Sequence, residues 1–183
     1  MSVSKRIALD GMLAAVYFAL KTLTIPIGND LEITFATLAL VVAALLLRVP
    51  DVCAVAFVGE FLTQMVRFGF SPISTPIWVA PPVLYGLVLG VAAALFRREK
   101  PLELRPVLCY AVCMSCALLL ACLNTAALYA DSKIMGYYSY HMVFGVAILR
   151  GLVALGTAAV VTTVAIPLVR TLRSKGLVRL EKK

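Results

Sequence analysis

Charged residues are scarce in this chain: Asp, Glu, Lys and Arg together make up only 14% of its 183 residues. Hydrophobic residues make up 62% and form long runs that have no polar face. A soluble domain needs polar side chains on the wet face of each helix or strand, so this composition excludes an ordinary soluble fold. The sequence therefore predicts an integral membrane protein.

Residues typical of enzyme active sites are also few. His141 is the only histidine and falls on a connection between apolar stretches, so a histidine-activated nucleophile inside a bundle is not expected. No G-x-x-x-x-G-K-[ST] segment occurs, which excludes ATP hydrolysis through a P-loop by this chain alone. We expect a protein that is not an enzyme and that holds neither a metal ion nor a cofactor.

Three of the five cysteines lie close together in the segment CYAVCMSC, at Cys109, Cys113 and Cys116. A close grouping of this kind is also found where cysteines hold an iron–sulfur cluster. Here the spacing places the three side chains within about 60° of one another on one face of an apolar helix. Packing between helices explains them better than a cluster site, and no disulfide framework is predicted.

Six apolar stretches are long enough to form helices. They are residues 7–27, 33–47, 52–68, 77–96, 106–130 and 142–169. Only helices and closed barrels satisfy their backbone in lipid, and these runs are too long and too uniformly apolar for barrel strands. We predict an all-α fold, in which residues 1–183 form one domain of six transmembrane helices. The second and third stretches are short for a ~30 Å hydrocarbon core.

The basic residues are distributed unevenly along the chain. Thirteen of the 17 Lys and Arg residues fall near the N-terminus, at Arg48, in residues 97–105 and in the tail 170–183. These segments share one side if six helices alternate in direction. The positive-inside rule makes that side the cytoplasm, with both termini inside. We expect the basic tail to meet lipid headgroups or protein partners, and we expect no nucleic acid as a partner.

Ionisable side chains inside spanning segments are costly, so each one is a candidate functional residue. Glu60, Gln64 and Arg67 have the spacing i, i+4, i+7 and share one stripe of the third helix. At about 1.5 Å per residue they lie toward the outer half of the membrane, at a depth shared by polar residues of other helices. The candidate substrate-binding residues are Lys21, Glu60, Gln64, Arg67, Trp78, Asn124, Tyr129 and Arg150.

These polar residues also have a purely structural interpretation. Glu60 would then pair with Arg67 or Arg150 to neutralise the charge in the bundle interior. The tyrosines would simply lie at the membrane–water interface, where aromatic residues are common. We favour a pocket open to the outside, because neutralisation needs one pair rather than polar residues from four helices at one depth.

The first helix carries small residues at regular intervals, at Gly11, Ala15 and Ala19. The spacing i, i+4, i+8 makes a smooth stripe on which another helix can pack closely in lipid. The stripe serves either packing within the bundle or docking of a partner protein.

Six helices in 183 residues, basic ends, a polar outward pocket and the Ala15-x-x-x-Ala19 motif together resemble the S component of an energy-coupling factor (ECF) vitamin transporter. The resemblance covers essentially the whole chain. It implies a multi-pass protein of a bacterial-type plasma membrane that captures a vitamin outside the cell. It also implies that the Ala15-x-x-x-Ala19 motif docks on a transmembrane coupling (T) subunit, and that two ATPase subunits drive uptake.

Within that family, Leu123-Asn124-Thr125 and the later Arg150 are similar to the folate-type members. The match is partial. Ala126 and Ala127 stand where folate-type members tend to have aromatic and leucine residues, and residues 74–78 replace their proline-glycine-phenylalanine stretch.

The candidate residues meet three chemical demands of a vitamin. A cation at position 21, 67 or 150 holds a carboxylate, Glu60 and Asn124 pair with ring N–H groups, and Trp78 or a tyrosine stacks on a ring. Folate has all three features, pantothenate only the first and riboflavin the last two. We therefore predict a folate-like substrate, with pantothenate and riboflavin as alternatives. The alternative function is a membrane scaffold that binds no solute, which has little reason to gather these side chains inside the bundle.

Overall fold

The computed structural model describes residues 3–27, 31–97 and 101–175, and within these ranges the chain is a helical bundle with one short β-hairpin. In chain order the elements are α1 (Val3–Thr22), β1 (Ile25–Ile27), β2 (Leu31–Ile33), α2 (Thr37–Leu46), α3 (Val49–Arg67), α4 (Ser74–Arg97), α5 (Pro106–Met135) and α6 (Ala147–Ser174). A 3₁₀ turn at Leu102–Leu104 precedes α5, and a π-helical turn at His141–Gly145 precedes α6.

Four of these elements are long and apolar enough to cross a membrane. They are α3, α4, α5 and the continuous segment His141–Ser174. The predicted helical fold class is thereby confirmed, and the length and composition of these four elements fit a membrane protein. Helix α1 carries Lys5, Arg6, Asp10 and Lys21, and α2 has only 10 residues. The six-span count and the cytoplasmic termini stay predictions.

Helix α2 lies at the centre of the bundle. Every residue from Ala39 to Leu46 is buried, and the helix packs against α1, α3, α4 and α6. A helix that is apolar on all sides needs protein or lipid around it, and here the neighbouring helices surround α2. The cysteines Cys109, Cys113 and Cys116 of α5 are buried in the same core, where they pack as small apolar side chains.

The first predicted helix is too long at its C-terminal end. Helix α1 ends at Thr22 rather than at residue 27, and an antiparallel hairpin follows, with Ile25 opposite Ile33 and Pro26 opposite Glu32. Pro26 has no backbone N–H to continue a helix, and its β-branched neighbours favour extended backbone. The second helix correspondingly begins at Thr37 rather than at residue 33.

The last two helices also differ from their predicted bounds. Helix α5 continues to Met135, five residues beyond the predicted end, and stops at Gly136, whose φ of 82° is the left-handed conformation typical of a helix end. The predicted stretch 142–169 is divided into the π-helical turn and α6, which runs on to Ser174.

The helix ends opposite the hairpin are joined by basic side chains. Arg6 Nε lies 3.4 Å from Asp51 Oδ1. Arg173 forms an ion pair with Glu103 and donates to the carbonyl of Leu45 at 2.8 Å, and Arg170 donates to the Glu103 carbonyl at 2.7 Å. We call this end of the bundle the basic side and the other end the hairpin side. Residues 98–100 and 176–183, which belong to the predicted basic segments, lie outside the described residues.

Candidate functional site

A cavity of about 790 Å³ lies inside the bundle toward the hairpin side, and all six helices and strand β2 contribute to its wall. Seven of the eight residues proposed from the sequence line it. They are Lys21, Glu60, Gln64, Arg67, Trp78, Asn124 and Arg150. Along α5 the wall runs from Ala117 to Met135, which spans about 27 Å at 1.5 Å per residue. The cavity is therefore elongated along the bundle.

Glu60 supplies a buried carboxylate to the cavity wall, because only 2% of its surface is exposed. Tyr17 donates its hydroxyl to Glu60 Oε2 at 2.7 Å, and Gln64 donates Nε2 to Oε1 at 2.8 Å. The Nζ atom of Lys21 lies 3.8 Å from Oε2. A buried charge is tolerated when it is paired and hydrogen-bonded, and here both oxygens of the carboxylate are satisfied.

This network depends on a close approach of α1 and α3. A Cβ atom added at Gly59 would lie 2.5 Å from Cδ1 of Tyr17, so glycine is required for the Tyr17 ring to lie against α3. The packing holds the Tyr17 hydroxyl in place to donate to Glu60. Helix α1 is in this way joined to the cavity wall.

Arg67 closes the end of the α3 stripe by pairing with the hairpin. Its Nη1 and Nη2 atoms donate to Oε2 and Oε1 of Glu32 at 3.0 and 2.9 Å, a bidentate arrangement. Hydrogen bonding from Arg67 is the main cause that lowers the pKa of Glu32 below its ordinary value of 4.5. Strand β2 is therefore tied to α3 across the rim of the cavity.

Asp131 forms a second polar cluster at the rim. Ser74 donates its hydroxyl to Asp131 Oδ1 at 2.6 Å, and Tyr137 donates its hydroxyl to Oδ2. Partial desolvation, followed by the bond to Asp131, raises the pKa of Tyr137 to about 12. These bonds join the start of α4, the end of α5 and the turn that follows it.

Trp78 combines an aromatic ring with an unusual backbone environment. It lines the cavity on α4, and prolines stand at both Pro81 and Pro82 inside the same helix. The carbonyl of a helical residue normally accepts from the N–H of the residue four positions later, or three in a tighter turn. Both positions after Trp78 are prolines, which have no N–H. The helix therefore offers no donor to the Trp78 carbonyl beside the cavity.

Arg150 lies on the α6 side of the cavity and holds the π-helical turn. Its Nη1 and Nη2 atoms donate to the carbonyls of Val143 and Met142 at 3.2 and 3.1 Å. Asn124 faces the cavity from α5, where Leu120 and Leu128 lie one turn before and after it. The polar groups are thus set in a wall that is otherwise largely apolar.

Tyr129 does not line this cavity. It lies on another face of α5 and lines a separate groove between α5 and α6, where its ring packs edge-on against Tyr138 at 5.6 Å between centroids. Helical spacing explains the difference. The cavity face of α5 contains residues 124, 128 and 131, and position 129 is rotated about 100° from position 128.

Several cavity residues were not proposed from the sequence. Tyr17 lies one turn before Lys21, and Asp131 lies two turns after Asn124, so helical spacing from the chosen residues could have found both. Glu32 gave no such signal, because it depends on a hairpin that was not predicted. The contacts of Glu60 also differ from the structural interpretation of the sequence, since Arg67 pairs with Glu32 and Glu60 pairs with Lys21.

Comparison with known proteins identifies relatives of this bundle. A family model described as the ECF-type riboflavin transporter, S component, matches residues 1–174. Among solved structures, the S component of a bacterial ECF transporter aligns with a TM-score of 0.68 and 19% sequence identity, covering 94% of this chain and 98% of that chain. At this identity the structural likeness shows a shared fold. No curated protein matched significantly.

Proposed function

We propose that this chain, which belongs to the family of ECF-type riboflavin transporter S components, binds riboflavin or a closely related uncharged flavin in its central cavity. Family membership makes it a transporter S component, so a role as the substrate-binding subunit of an ECF importer follows. The identity of the substrate needs a separate argument. We base it on the charges of the side chains that line the cavity.

The formal charges along the cavity cancel. Its lining contains three basic and three acidic side chains. They are Lys21, Arg67 and Arg150, and Glu32, Glu60 and Asp131. A folate or pantothenate carboxylate entering this cavity would compete with Glu32 for Arg67 or with Glu60 for Lys21. An uncharged flavin leaves both ion pairs intact, and this balance is the observation that favours it over folate.

The remaining groups suit a planar ring with hydrogen-bonding edges and a polyol chain. Trp78 offers a stacking surface. The Trp78 carbonyl, which the following prolines leave without a helical donor, can accept from the imide N–H of a flavin ring. Gln64, Asn124 and Thr75 can bind ring carbonyls or chain hydroxyls. The volume of about 790 Å³ falls within the range of small-molecule sites.

The same polar residues argue against the alternative of a membrane scaffold. A scaffold gains nothing from gathering buried Glu60 and Gln64 with Trp78 and Asn124 around one internal cavity, because ionisable and polar groups are costly to place in a bundle interior. A binding site explains why they face inward together.

Uptake in this proposal involves the bilayer and three partner subunits. Gly11, Ala15 and Ala19 are exposed on α1, on a different face from the buried Leu13, and form the surface that we assign to the transmembrane coupling (T) subunit. Two ATPase subunits would supply the energy. We further propose six spans, with the hairpin side outside and the basic side in the cytoplasm of a bacterial-type cell, in keeping with the positive-inside rule.

Ligand titration of the purified chain tests the substrate. Trp78 is the only tryptophan, so intrinsic tryptophan fluorescence reports directly on the cavity. We expect riboflavin to quench it and to bind at least about tenfold, or 1.4 kcal/mol, more tightly than folate or pantothenate. Calorimetry on Trp78→Phe, which keeps an aromatic ring, checks that the protein binds without the probe. Tighter binding of folate than of riboflavin would reject the flavin assignment.

A further inference from the structure

A second concave surface lies on the outside of the bundle, between α5 and α6. We call it the α5–α6 groove. It has a volume of about 430 Å³ and is lined on α5 by Leu118, Ala121, Cys122, Thr125, Ala126 and Tyr129. On α5 these positions recur every three or four residues, so they form one face of the helix. Phe144 of the π-helical turn and Ala147 and Gly151 of α6 line the other side of the groove.

The groove lacks the polar groups of a vitamin site. Its wall is formed mainly by alanine, glycine, leucine and aromatic side chains. Thr125 is the one threonine that lines the groove. Its hydroxyl donates to the carbonyl of Ala121, in the same helix, at 2.9 Å. Ala121 also lines the central cavity, so one helix separates the two spaces. The groove and the cavity are therefore suited to ligands of different chemistry.

The groove faces the lipid and has the length of one leaflet. Ile148 and Leu152, which flank it on α6, are 81% and 61% exposed. From Leu118 to Tyr129 the groove spans about 16 Å at 1.5 Å per residue, which is roughly half of a ~30 Å hydrocarbon core. A single hydrocarbon chain of one leaflet matches this shape.

A positive charge and aromatic rings lie at the hairpin-side end of the groove. The Nζ atom of Lys133 lies 4.0 Å from the ring centroid of Tyr138 and 5.9 Å from that of Tyr129. Tyr140 packs against Phe144 at 5.4 Å between centroids. Tyrosine rings favour the level of the lipid headgroups, and a lysine beside them attracts a phosphate.

We propose that the α5–α6 groove binds one phospholipid of the leaflet on the hairpin side, with an acyl chain between α5 and α6 and its phosphate near Lys133. The apolar walls, the length of one leaflet and the positive charge at the headgroup end all fit this occupant. The proposal does not depend on which vitamin fills the central cavity.

Two glycines of α6 provide a matched pair of variants. A Cβ atom at Gly151 would meet only Leu118 Cδ2, at 4.0 Å, so Gly151→Leu can fill the groove without displacing backbone. A Cβ atom at Gly156 meets nothing within 4 Å, and Gly156 lines neither the groove nor the cavity. Gly156→Leu adds the same side chain to the same helix, but outside both the groove and the cavity.

Native mass spectrometry of the full chain in detergent, titrated with phosphatidylglycerol, tests the site. We expect one phospholipid to be retained most strongly by the wild type and by Gly156→Leu. Its affinity should fall about tenfold in Gly151→Leu, the effect of losing contact with about two methylene groups. Lys133→Gln should weaken retention while leaving the groove open. Equal retention by Gly151→Leu and Gly156→Leu would overturn the proposal.

Two further outcomes would assign the groove to another occupant and overturn the proposal. One is displacement of the retained lipid by riboflavin, which would make the groove part of a vitamin site. The other is unchanged lipid retention in Gly151→Leu together with loss of assembly with the coupling subunit, which would make it a docking surface. Riboflavin titration of the same variants tests the central cavity separately. A failure of the lipid proposal can therefore be told apart from a failure of the flavin assignment.

Discussion

Gly59 is the residue that lets α1 reach the cavity. The ring of Tyr17 lies where a side chain at position 59 would be, with Cδ1 at 2.5 Å and Cγ at 2.9 Å from an added Cβ. The hydroxyl of Tyr17 is fixed by its bond to the buried Glu60, so the ring has little freedom to move away. Packing and hydrogen bonding at this point depend on each other.

The substitution Gly59→Ala should therefore destabilise the protein. Overpacking of a buried contact costs about 1–3 kcal/mol. Gly156→Ala is the matched control, because no atom lies within 4 Å of its added Cβ and alanine favours a helix by about 1 kcal/mol over glycine. We expect thermal unfolding in detergent to show a lower midpoint for Gly59→Ala than for Gly156→Ala. Equal midpoints would show that the α1–α3 contact is looser than described.

Part of the site follows from single residues in the sequence, and part does not. The i, i+4, i+7 spacing of Glu60, Gln64 and Arg67 correctly brings all three to one cavity. Their partners did not follow, because Glu32 reaches Arg67 through a hairpin that helical periodicity cannot indicate. Tyr129 lies outside the cavity because it is on another face of α5, and depth along a helix does not indicate which face a residue occupies.

At the level of elements, α4 is unusual for its two consecutive prolines. Proline in a helix interior removes a backbone donor and costs about 3 kcal/mol, so a pair beside the cavity needs a compensating role. Our account assigns that role to the carbonyl of Trp78, which the prolines leave available to a flavin.

Pro82→Ala tests this role of α4. The new N–H at position 82 lies four residues after Trp78 and would engage its carbonyl within the helix. We expect a higher thermal midpoint and riboflavin binding weakened about tenfold, which corresponds to one lost hydrogen bond. Pro81→Ala should raise the midpoint without the loss of affinity, because its new donor would serve Ile77, which does not line the cavity. Unchanged affinity in Pro82→Ala would remove the carbonyl from the site.

The β-hairpin is an element whose hold on the bundle should depend on pH. The lowered pKa of Glu32 means that its pair with Arg67 stabilises the folded hairpin above pH 4.5. That contribution is lost as the pH falls through the lowered pKa. At neutral pH we expect Glu32→Gln to speed hydrogen exchange in strand β2 about two- to fivefold, the range for a partly exposed ion pair. The difference in exchange rate between Glu32→Gln and the wild type should vanish in acid. Equal exchange rates at neutral pH would show that the Glu32–Arg67 pair does not hold the hairpin to α3.

Helix α1 presents Gly11, Ala15 and Ala19 away from the bundle, in keeping with a docking face. We expect Ala15→Leu to reduce co-purification of the coupling subunit at least about tenfold, because a larger side chain keeps two helices apart. Val16→Leu, on a neighbouring part of the helix surface, is the control. Riboflavin binding by both variants should equal that of the wild type. Normal assembly of Ala15→Leu would place the docking surface elsewhere.

Over the whole molecule, the overall fold is more predictable than its irregular parts. Scarce charge and long apolar runs correctly predicted a helical membrane bundle, because lipid leaves few other ways to satisfy the backbone. The hairpin after α1 and the π-helical turn before α6 lie at the membrane ends of helices, where both regular and extended backbone are allowed. There Pro26 and the packing of Arg150, rather than periodicity, decide the conformation.

The distribution of charge also gives the whole molecule its two different ends. On the basic side, Arg173 and Arg170 join α6 to the carbonyl of Leu45 and to Glu103. On the hairpin side, the charges that line the cavity are balanced. An uncharged substrate enters such a site without breaking an ion pair, which is the central claim of this account.

The most direct test is to identify what the protein carries when it is purified alone in detergent. Small molecules released on denaturation would be identified by mass spectrometry, with empty detergent as the control. We predict riboflavin, or another uncharged flavin, in an amount that approaches one per chain, and thermal stabilisation when riboflavin is added to emptied protein. Stoichiometric release of folate, or no released vitamin together with no stabilisation by riboflavin, would contradict the account.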